Sequence, residues 1–323
     1  MPFKKEGRKV SLNNRIVYRE LSSLEKDLEK KAVALYSVSN NIDRHYTKVS
    51  VPKRNGGVRV LSVPDDFLKA IQQKINKVLL YDMPVSPYAR AYRSGISLTD
   101  NAKPHIDKDW VLKLDIQKFF DSVMYSTVKE RVFPESIYSE PLRVLLTLLC
   151  YHGDSLPQGA PTSPAISNII LYDFDMRVGK WCRGRRISYT RYCDDMTFSG
   201  FGQMQDIVGF IRNELAKEHL FLNESKTVIA KRGMKQEVTG LVVNEKVNTP
   251  SDYRRKIRQE IYYIEKFGVD EHINRAGISL DSYTYLRNLL GRVNYVLSVT
   301  PDNKEMKDYF ESIKQMLKQQ KSN

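Results

Sequence analysis

The period of the apolar positions changes several times along this chain. Between residues 19 and 38, Leu21, Leu24, Leu28 and Leu35 recur at helical spacing among Glu and Lys, which predicts an amphipathic helix. Residues 48–63 read as a hairpin, KVSVPK and VRVLSV around the turn Asn55-Gly56-Gly57. Pro64-Asp65-Asp66 opens a helix carrying Phe67, Leu68, Ile71, Ile75, Val78 and Leu79. Trp110–Asp115 is an apolar run ending at a carboxylate, read as a buried strand. Helical stretches follow near 125–131 and 139–151. Ser163-Pro164 predicts a long helix with Ser163 as N-cap and Pro164 in the first turn. Residues 187–193 and 196–200 predict two strands meeting at Asp194-Asp195. A helix at 206–219 and short strands to about 247 follow. From 251 the pattern is helical, with Ile257, Ile261 and Ile264 on one face and Arg254, Arg255 and Arg258 largely away from it. No internal repeat or low-complexity linker interrupts the sequence.

At 323 residues the chain has room for two domains, or one of several lobes. Its 52 Lys and Arg against 38 Asp and Glu give a net charge of +14, which favours a polyanionic partner, nucleic acid or an anionic membrane surface. The plainer alternative is a soluble protein with a basic surface. Cys150, Cys182 and Cys193 are too few and scattered for a disulfide framework, and no CxxC pair suggests zinc. No apolar run of about 20 residues is present to span a membrane. The basic start, MPFKKEGRKVSLNNR, lacks the apolar core of a secretion signal. The expected location is the reducing cytoplasm, with no membrane partner.

Three acids stand apart. Asp115 closes the predicted strand, and Asp194 and Asp195 occupy the tip of the predicted hairpin. An Asp-Asp pair in a turn is often turn chemistry alone. Between strands, however, crowded like charges repel, and a metal ion removes the repulsion. Phosphoryl transfer by two Mg²⁺ ions about 3.5–4 Å apart uses such a cluster. Mg²⁺ prefers hard oxygen ligands, so few carboxylates plus substrate phosphates suffice.

Leu114-Asp115-Ile116, with Phe119-Phe120-Asp121 after it, resembles motif A of reverse transcriptases. Leu156-Pro157-Gln158-Gly159-Ala160-Pro161-Thr162-Ser163-Pro164 resembles their motif B, and Tyr192-Cys193-Asp194-Asp195 their YxDD motif C. The three occur in the family's order, within a resemblance covering roughly 45–245. It implies an RNA-directed DNA polymerase using two Mg²⁺ ions and dNTP substrates. Asp115 and Asp194 would ligate both metals, with Asp195 at the same cluster and the Ile116 carbonyl beside the nucleotide-side metal. Phe120 would be the steric gate that rejects a 2′-hydroxyl; its alternative is a core ring beside Phe119. Gln158, Gly159 and Tyr192 would lie at the incoming nucleotide. Arg59 and Lys53, on the hairpin, would grip its triphosphate. Lys226 resembles the motif D lysine that donates a proton to departing pyrophosphate, with a plain surface lysine as the alternative.

Asn101-Ala102-Lys103-Pro104-His105 resembles the NAxxH segment of retron reverse transcriptases, and Val238-Thr239-Gly240 their VTG segment. The retron type implies copying of one structured non-coding RNA, primed from a guanosine 2′-hydroxyl, into a branched RNA–DNA product. It also implies a role in anti-phage defence with a separate effector protein. RNA contacts are expected from Asn101, His105, Val238, Thr239 and Gly240, and from Arg254, Arg255 and Arg258 in the helical lobe. Cys193 departs from the Ala more usual within YxDD, and Ala91-Tyr92-Arg93-Ser94-Gly95 departs from the usual Gly-Phe-Arg wording. Rival readings are a group II intron-like or diversity-generating reverse transcriptase, an RNA-dependent RNA polymerase, and an inactive RNA-binding scaffold. The expected fold is α+β, a right-hand polymerase. An N-terminal helical extension covers 1–44 and fingers 45–109 with part of 140–165. The palm, a mixed or antiparallel sheet with packed helices, covers 110–247, and an α-helical thumb 248–323.

Overall fold

The computed structural model describes residues 11–12, 15–16, 18, 20–52 and 56–322. Two short antiparallel strands, Ser11–Leu12 (β1) and Arg15–Ile16 (β2), come first. The single helix predicted over 19–38 is two helices, Leu21–Leu28 (α1) and Ala32–Asn40 (α2). The break is at Glu29, which turns left-handed (φ 55°) with its N–H returned to the Glu25 carbonyl. Leu24, Leu28 and Leu35 are buried as the pattern requires.

The predicted hairpin is Tyr46–Pro52 (β3) paired with Val58–Pro64 (β4), in register from Tyr46 opposite Pro64 to Pro52 opposite Val58. Gly56 and Gly57 both take positive φ, 79° and 80°, at its tip. Lys53 and Asn55, assigned to this hairpin from sequence, lie outside the described residues. Asp65 caps the next helix, Asp66–Ile75 (α3), by accepting from the Leu68 N–H at 2.8 Å. Leu68, Ile71 and Ile75 are buried, but Phe67 is 41% exposed under the Lys30 ammonium. The helix runs on through a wider π turn, Asn76–Leu80.

A short helix, Leu98–Ala102 (α4), starts with a Ser97–Asp100 capping box. Trp110–Asp115 is the buried strand β5, as read from the sequence. Phe119–Ser122 (α5), Tyr125–Arg131 (α6) and Glu140–Cys150 (α7) follow. Where a long helix was expected from Ser163, there are two, Ser163–Ile170 (α8) and Tyr172–Arg183 (α9). Ser163 is not the cap but the first helical residue, because its hydroxyl is spent on the Pro157 carbonyl at 2.7 Å. Ser188–Tyr192 (β6), Asp195–Gly200 (β7), Ile207–Ala216 (α10) and Val228–Lys231 (β8) come next. The central sheet has the order β6-β7-β5-β8. Glu237–Val238 (β9) and Leu241–Val242 (β10) pair antiparallel.

The helical end comprises Ser251–Phe267 (α11), Val269–Arg275 (α12), Ser282–Val299 (α13) and Lys304–Ser322 (α14). Ile257, Ile261 and Ile264 pack with Leu286, Leu289, Val293, Met306 and Ile313. Each such side chain, fully buried, contributes about 1.5–3 kcal/mol.

Contacts divide the chain into two compact units. One holds the described residues up to Ile96 with 113–197 and 203–228. The other holds 97–112, 198–202 and 229 onward. No helix of the described residues is long and apolar enough to cross a membrane.

Candidate active site

All three acids singled out in the sequence belong to the first unit, where the main chain locks their supports together. The strand β5 delivers Asp115, whose carbonyl accepts from the Asn223 N–H at 2.8 Å. The next residue, Ile116, donates its N–H to the Asp194 carbonyl at 3.1 Å. Asp194 and Cys193 form the turn between β6 and β7. Such turns favour Gly or Asn, because φ must be positive. Here Cys193 takes φ 61°, which costs a side-chain-bearing residue about 1–2 kcal/mol.

A buried cation offsets that strain. Arg191, with no solvent exposure, donates from Nη1 to the Cys193 carbonyl at 2.9 Å. Its Nε and Nη2 reach the two oxygens of Asp175, equally buried, at 2.8 and 2.7 Å. The Tyr189 hydroxyl also donates to Asp175, at 2.7 Å. The Tyr92 hydroxyl approaches the Cys193 sulfur at 3.6 Å. Sequence reasoning missed this strut under the turn. Its one signal was an arginine at a position where the strand pattern calls for an apolar residue.

Charge is crowded at the acids. Burial raises the Asp194 pKa, and the neighbouring Asp115 charge adds to the shift. Burial, then the charges of Asp194 and Asp115, pushes Asp195 up to about 6. Asp115 has a local counter-charge: Lys226 Nζ lies 2.9 Å from its Oδ2, and Asn223 donates to Oδ1 at 3.2 Å. The same bond raises the Lys226 pKa and keeps the ammonium charged. Hard carboxylate oxygens in mutual repulsion are the donor chemistry a cation such as Mg²⁺ takes. As the side chains stand, no group of three or more His, Cys, Asp or Glu among the described residues is arranged to hold a metal ion.

The acids open on a cleft of about 1020 Å³. Of the residues assigned to nucleotide chemistry from sequence, Arg59, Phe120, Gln158 and Tyr192 line it with Ile116 and Lys226. Phe119 and Phe120 both line the cleft; Phe119 is the buried ring of the pair and Phe120 the partly exposed one. Lys53 lies outside the described residues. Lys48 was missed by sequence reasoning. It stands opposite Ser62 in the hairpin register, and both line the cleft. Gly159 has a structural reason of its own. With φ 120°, a Cβ there would sit 2.8 Å from the Ser62 carbonyl oxygen. The same contact carries a hydrogen bond from the Ser62 N–H to the Gln158 carbonyl at 2.8 Å.

The residues assigned to RNA contact belong to the second unit. Asn101 donates to the Thr239 hydroxyl at 3.3 Å, so the NAxxH and VTG segments meet. His105 bonds the Ser199 hydroxyl at 2.7 Å. Asn101, His105 and Val238 are buried, whereas Gly240 is exposed and Thr239 partly so. Arg254 is engaged by Asn248 and Thr249, and Arg258 by both oxygens of Glu305 at 2.7 and 2.8 Å. Arg255 is exposed, with no ion pair among the described residues.

Residues 51–249 match the family model described as reverse transcriptase (RNA-dependent DNA polymerase). The retron Mx65 reverse transcriptase of Myxococcus xanthus is 32% identical over 81% of this chain and 63% of its own length. The retron Ec86 reverse transcriptase of Escherichia coli is 32% identical over 69% of this chain and 71% of its own. The retron Ec83 enzyme of the same organism is 28% identical over 76% and 81%. This chain thus spans under two thirds of the Mx65 enzyme. Among solved structures, an apo telomerase from Candida tropicalis, truncated from its C-terminal domain, aligns over 64% of this chain and 55% of its own. Its identity is 14% and its TM-score 0.44. With the family match covering more than half of the sequence and the Ec86 enzyme matched over most of its length, this chain belongs to the reverse transcriptase (RNA-dependent DNA polymerase) family, with its right-hand polymerase fold, and within it to the retron reverse transcriptases.

Proposed function

We propose that this protein polymerises dNTPs on an RNA template by two-metal nucleotidyl transfer in the cleft above Asp115, Asp194 and Asp195. The observation that carries the reading is the convergence of these three acids, two with raised pKa values, at an open cleft beside a lysine. Asp115, Asp194 and Asp195 would hold a pair of Mg²⁺ ions, with the Ile116 carbonyl beside one of them. Bound there, the ions activate a primer hydroxyl and neutralise the leaving pyrophosphate. Lys226 leaves Asp115 and hands a proton to that pyrophosphate. Arg59 and Lys53 hold the triphosphate, Gln158, Gly159 and Tyr192 frame the base and sugar, and Phe120 rejects a 2′-hydroxyl.

By its retron kinship the enzyme copies one structured non-coding RNA in the cytoplasm. A guanosine 2′-hydroxyl serves as primer, and the product is branched. Asn101, His105, the Val238-Thr239-Gly240 turn, Arg254, Arg255 and Arg258 form the RNA-recognising part of a thumb over 248–323 and its approaches. Fingers at 45–109, a palm at 110–247 and a separate effector in phage defence complete the reading. The test is to purify the protein, extract bound nucleic acid and treat it with ribonuclease on a denaturing gel, beside Asp194→Asn/Asp195→Asn. A DNA band that shifts with ribonuclease and is missing from the variant is expected. RNA alone, identical in both, overturns the reading.

A further inference from the structure

We infer that the turn between α9 and β6, Lys180–Arg186, is a docking site for the phosphate backbone of structured RNA outside the catalytic cleft; this rests on the RNA-templated reading above. Lys180, Arg183, Arg185 and Arg186 are all exposed. No Asp or Glu occurs between Asp175 and Asp194. None of the four cations has an ion pair among the described residues. Arg177, one turn of α9 earlier, is held by both Glu214 and Glu218, at 2.7 and 2.6 Å. The surface here neutralises one arginine twice and leaves the next four basic residues uncompensated.

The turn itself is held in place. The chain from Cys182 to Ile187 is a closed turn. The Arg185 and Ile187 N–H groups both reach the Cys182 carbonyl at 3.0 Å, and the Arg186 N–H reaches that of Arg183 at 3.2 Å. Arg186 takes φ 57°, a conformation a long side chain adopts at a cost. The Arg185 guanidinium lies 4.3 Å from the Trp181 ring centroid, and that ring stacks on Phe210 at 4.2 Å and 9°. Arg183 donates one Nη to the Tyr88 hydroxyl at 2.8 Å. Two guanidiniums are therefore ordered before any ligand arrives, with donors to spare for phosphate oxygens. A-form RNA is recognised largely by shape and phosphates, which needs fixed cations more than base-reading groups. The patch and the catalytic turn lie at opposite ends of β6, roughly 17 Å apart at ~3.3 Å per residue. A ligand there extends well past the nucleotide being added, and none of the four residues lines the cleft.

The experiment titrates a fluorescein-labelled 20-base-pair RNA hairpin with the full chain by anisotropy, between 50 and 200 mM salt. The variant K180Q/R183Q/R185Q/R186Q is expected to bind at least tenfold more weakly at 100 mM. Its log–log salt slope should be shallower by about 0.7–0.9 for each phosphate that the variant no longer neutralises. The charge-keeping R183K/R185K/R186K should retain most of the slope, which separates charge from any change in the turn. Extension of a short annealed primer–template at saturating concentration should be unchanged in both variants. Unchanged affinity and slope would mean merely solvated cations and overturn the inference. An equal loss for a DNA duplex of the same length would overturn the RNA assignment. Absence of primer extension by the unaltered protein would instead sink the polymerase reading, independently of the binding result.

Discussion

Replacing Arg191 tests whether the buried pair beneath the catalytic turn sets the position of the acids. Arg191→Met leaves the Asp175 carboxylate with no solvent exposure and no counter-charge. Stranding one partner of a buried pair costs about 3–5 kcal/mol. At about 2–4 °C per kcal/mol, the unfolding midpoint should fall by roughly 6–20 °C. The triple variant R191M/D175L/Y189F removes the whole network, including the tyrosine hydroxyl that would otherwise lose its acceptor. Replacing a complete buried pair with apolar groups of similar volume is often neutral, so stability should return. Activity should not. The turn still lacks the donor to the Cys193 carbonyl, and a hydrogen bond from a charged donor is worth about 1.5–3 kcal/mol. If the freed turn relaxes from the φ of 61° at Cys193, Asp194 and Asp195 move with it. A loss of this size in transition-state stabilisation lowers kcat by roughly tenfold to a hundredfold. The assay pairs thermal unfolding with single-turnover primer extension over a Mg²⁺ titration. A triple variant that is stable and fully active at the same Mg²⁺ midpoint refutes the positioning role. A single variant with no loss of midpoint refutes the argument from burial.

Gly159→Ala should raise KM for dNTPs and destabilise the protein by about 1–3 kcal/mol, because φ 120° and the Ser62 carbonyl at 2.8 Å leave no place for the methyl group; steady-state kinetics with wild-type parameters would contradict this. Phe120→Ala should lower the ratio of kcat/KM for dNTP over rNTP by about tenfold or more if its ring, which lines the cleft, is the proposed gate; unaltered discrimination would show that Phe120 is not the gate. In chelator, the Asp195 contribution to stability should fall as pH rises from about 4 through 6. The Asp195 pKa is raised from 3.8 to about 6, so the folded state binds the proton more tightly, and its contribution is full below the lower value and lost above the higher. Unfolding midpoints of the unaltered protein and Asp195→Asn that share one pH slope would sink that assignment. Lys226→Gln should cost about a hundredfold or more in kcat with little effect on stability, since its ion pair is largely exposed on the lysine side; rapid-quench kinetics would settle it.

The three clustered acids were legible in the sequence because each stands in a run of residues that resembles a reverse transcriptase motif. The helical end was legible from Ile257, Ile261 and Ile264 alone, since a three-to-four spacing says which face is buried. What escaped was tertiary in origin. The apolar pattern over 19–38 does not reveal a break, because Glu29 turns left-handed for a main-chain bond rather than through any Gly or Pro. Ser163 reads as a cap by residue type, but its hydroxyl is committed to Pro157. Arg191 reads as an unexplained charge on the apolar face of its strand until Asp175, 16 positions earlier, is brought against it. Asn101 and Thr239 carry separate family signatures, and only folding across 138 positions joins them by a hydrogen bond.

The contact between Ser62 and the Gln158-Gly159 backbone has a mechanical consequence. It works as a fulcrum. The β3–β4 ribbon is exposed on most of its length beyond that point, from Lys48 to Pro52 and from Val58 to Val60. At Ser62 it is fastened by a main-chain bond, with no room for even one added carbon. Any swing of the ribbon toward a bound triphosphate must therefore bend outside Ser62. The outer half, which carries Arg59, is free of that bond, while the inner half is fastened to the Gln158-Gly159 backbone. On the proposed function, a ligand held by the outer ribbon could shift without disturbing the Ser62–Gln158 bond.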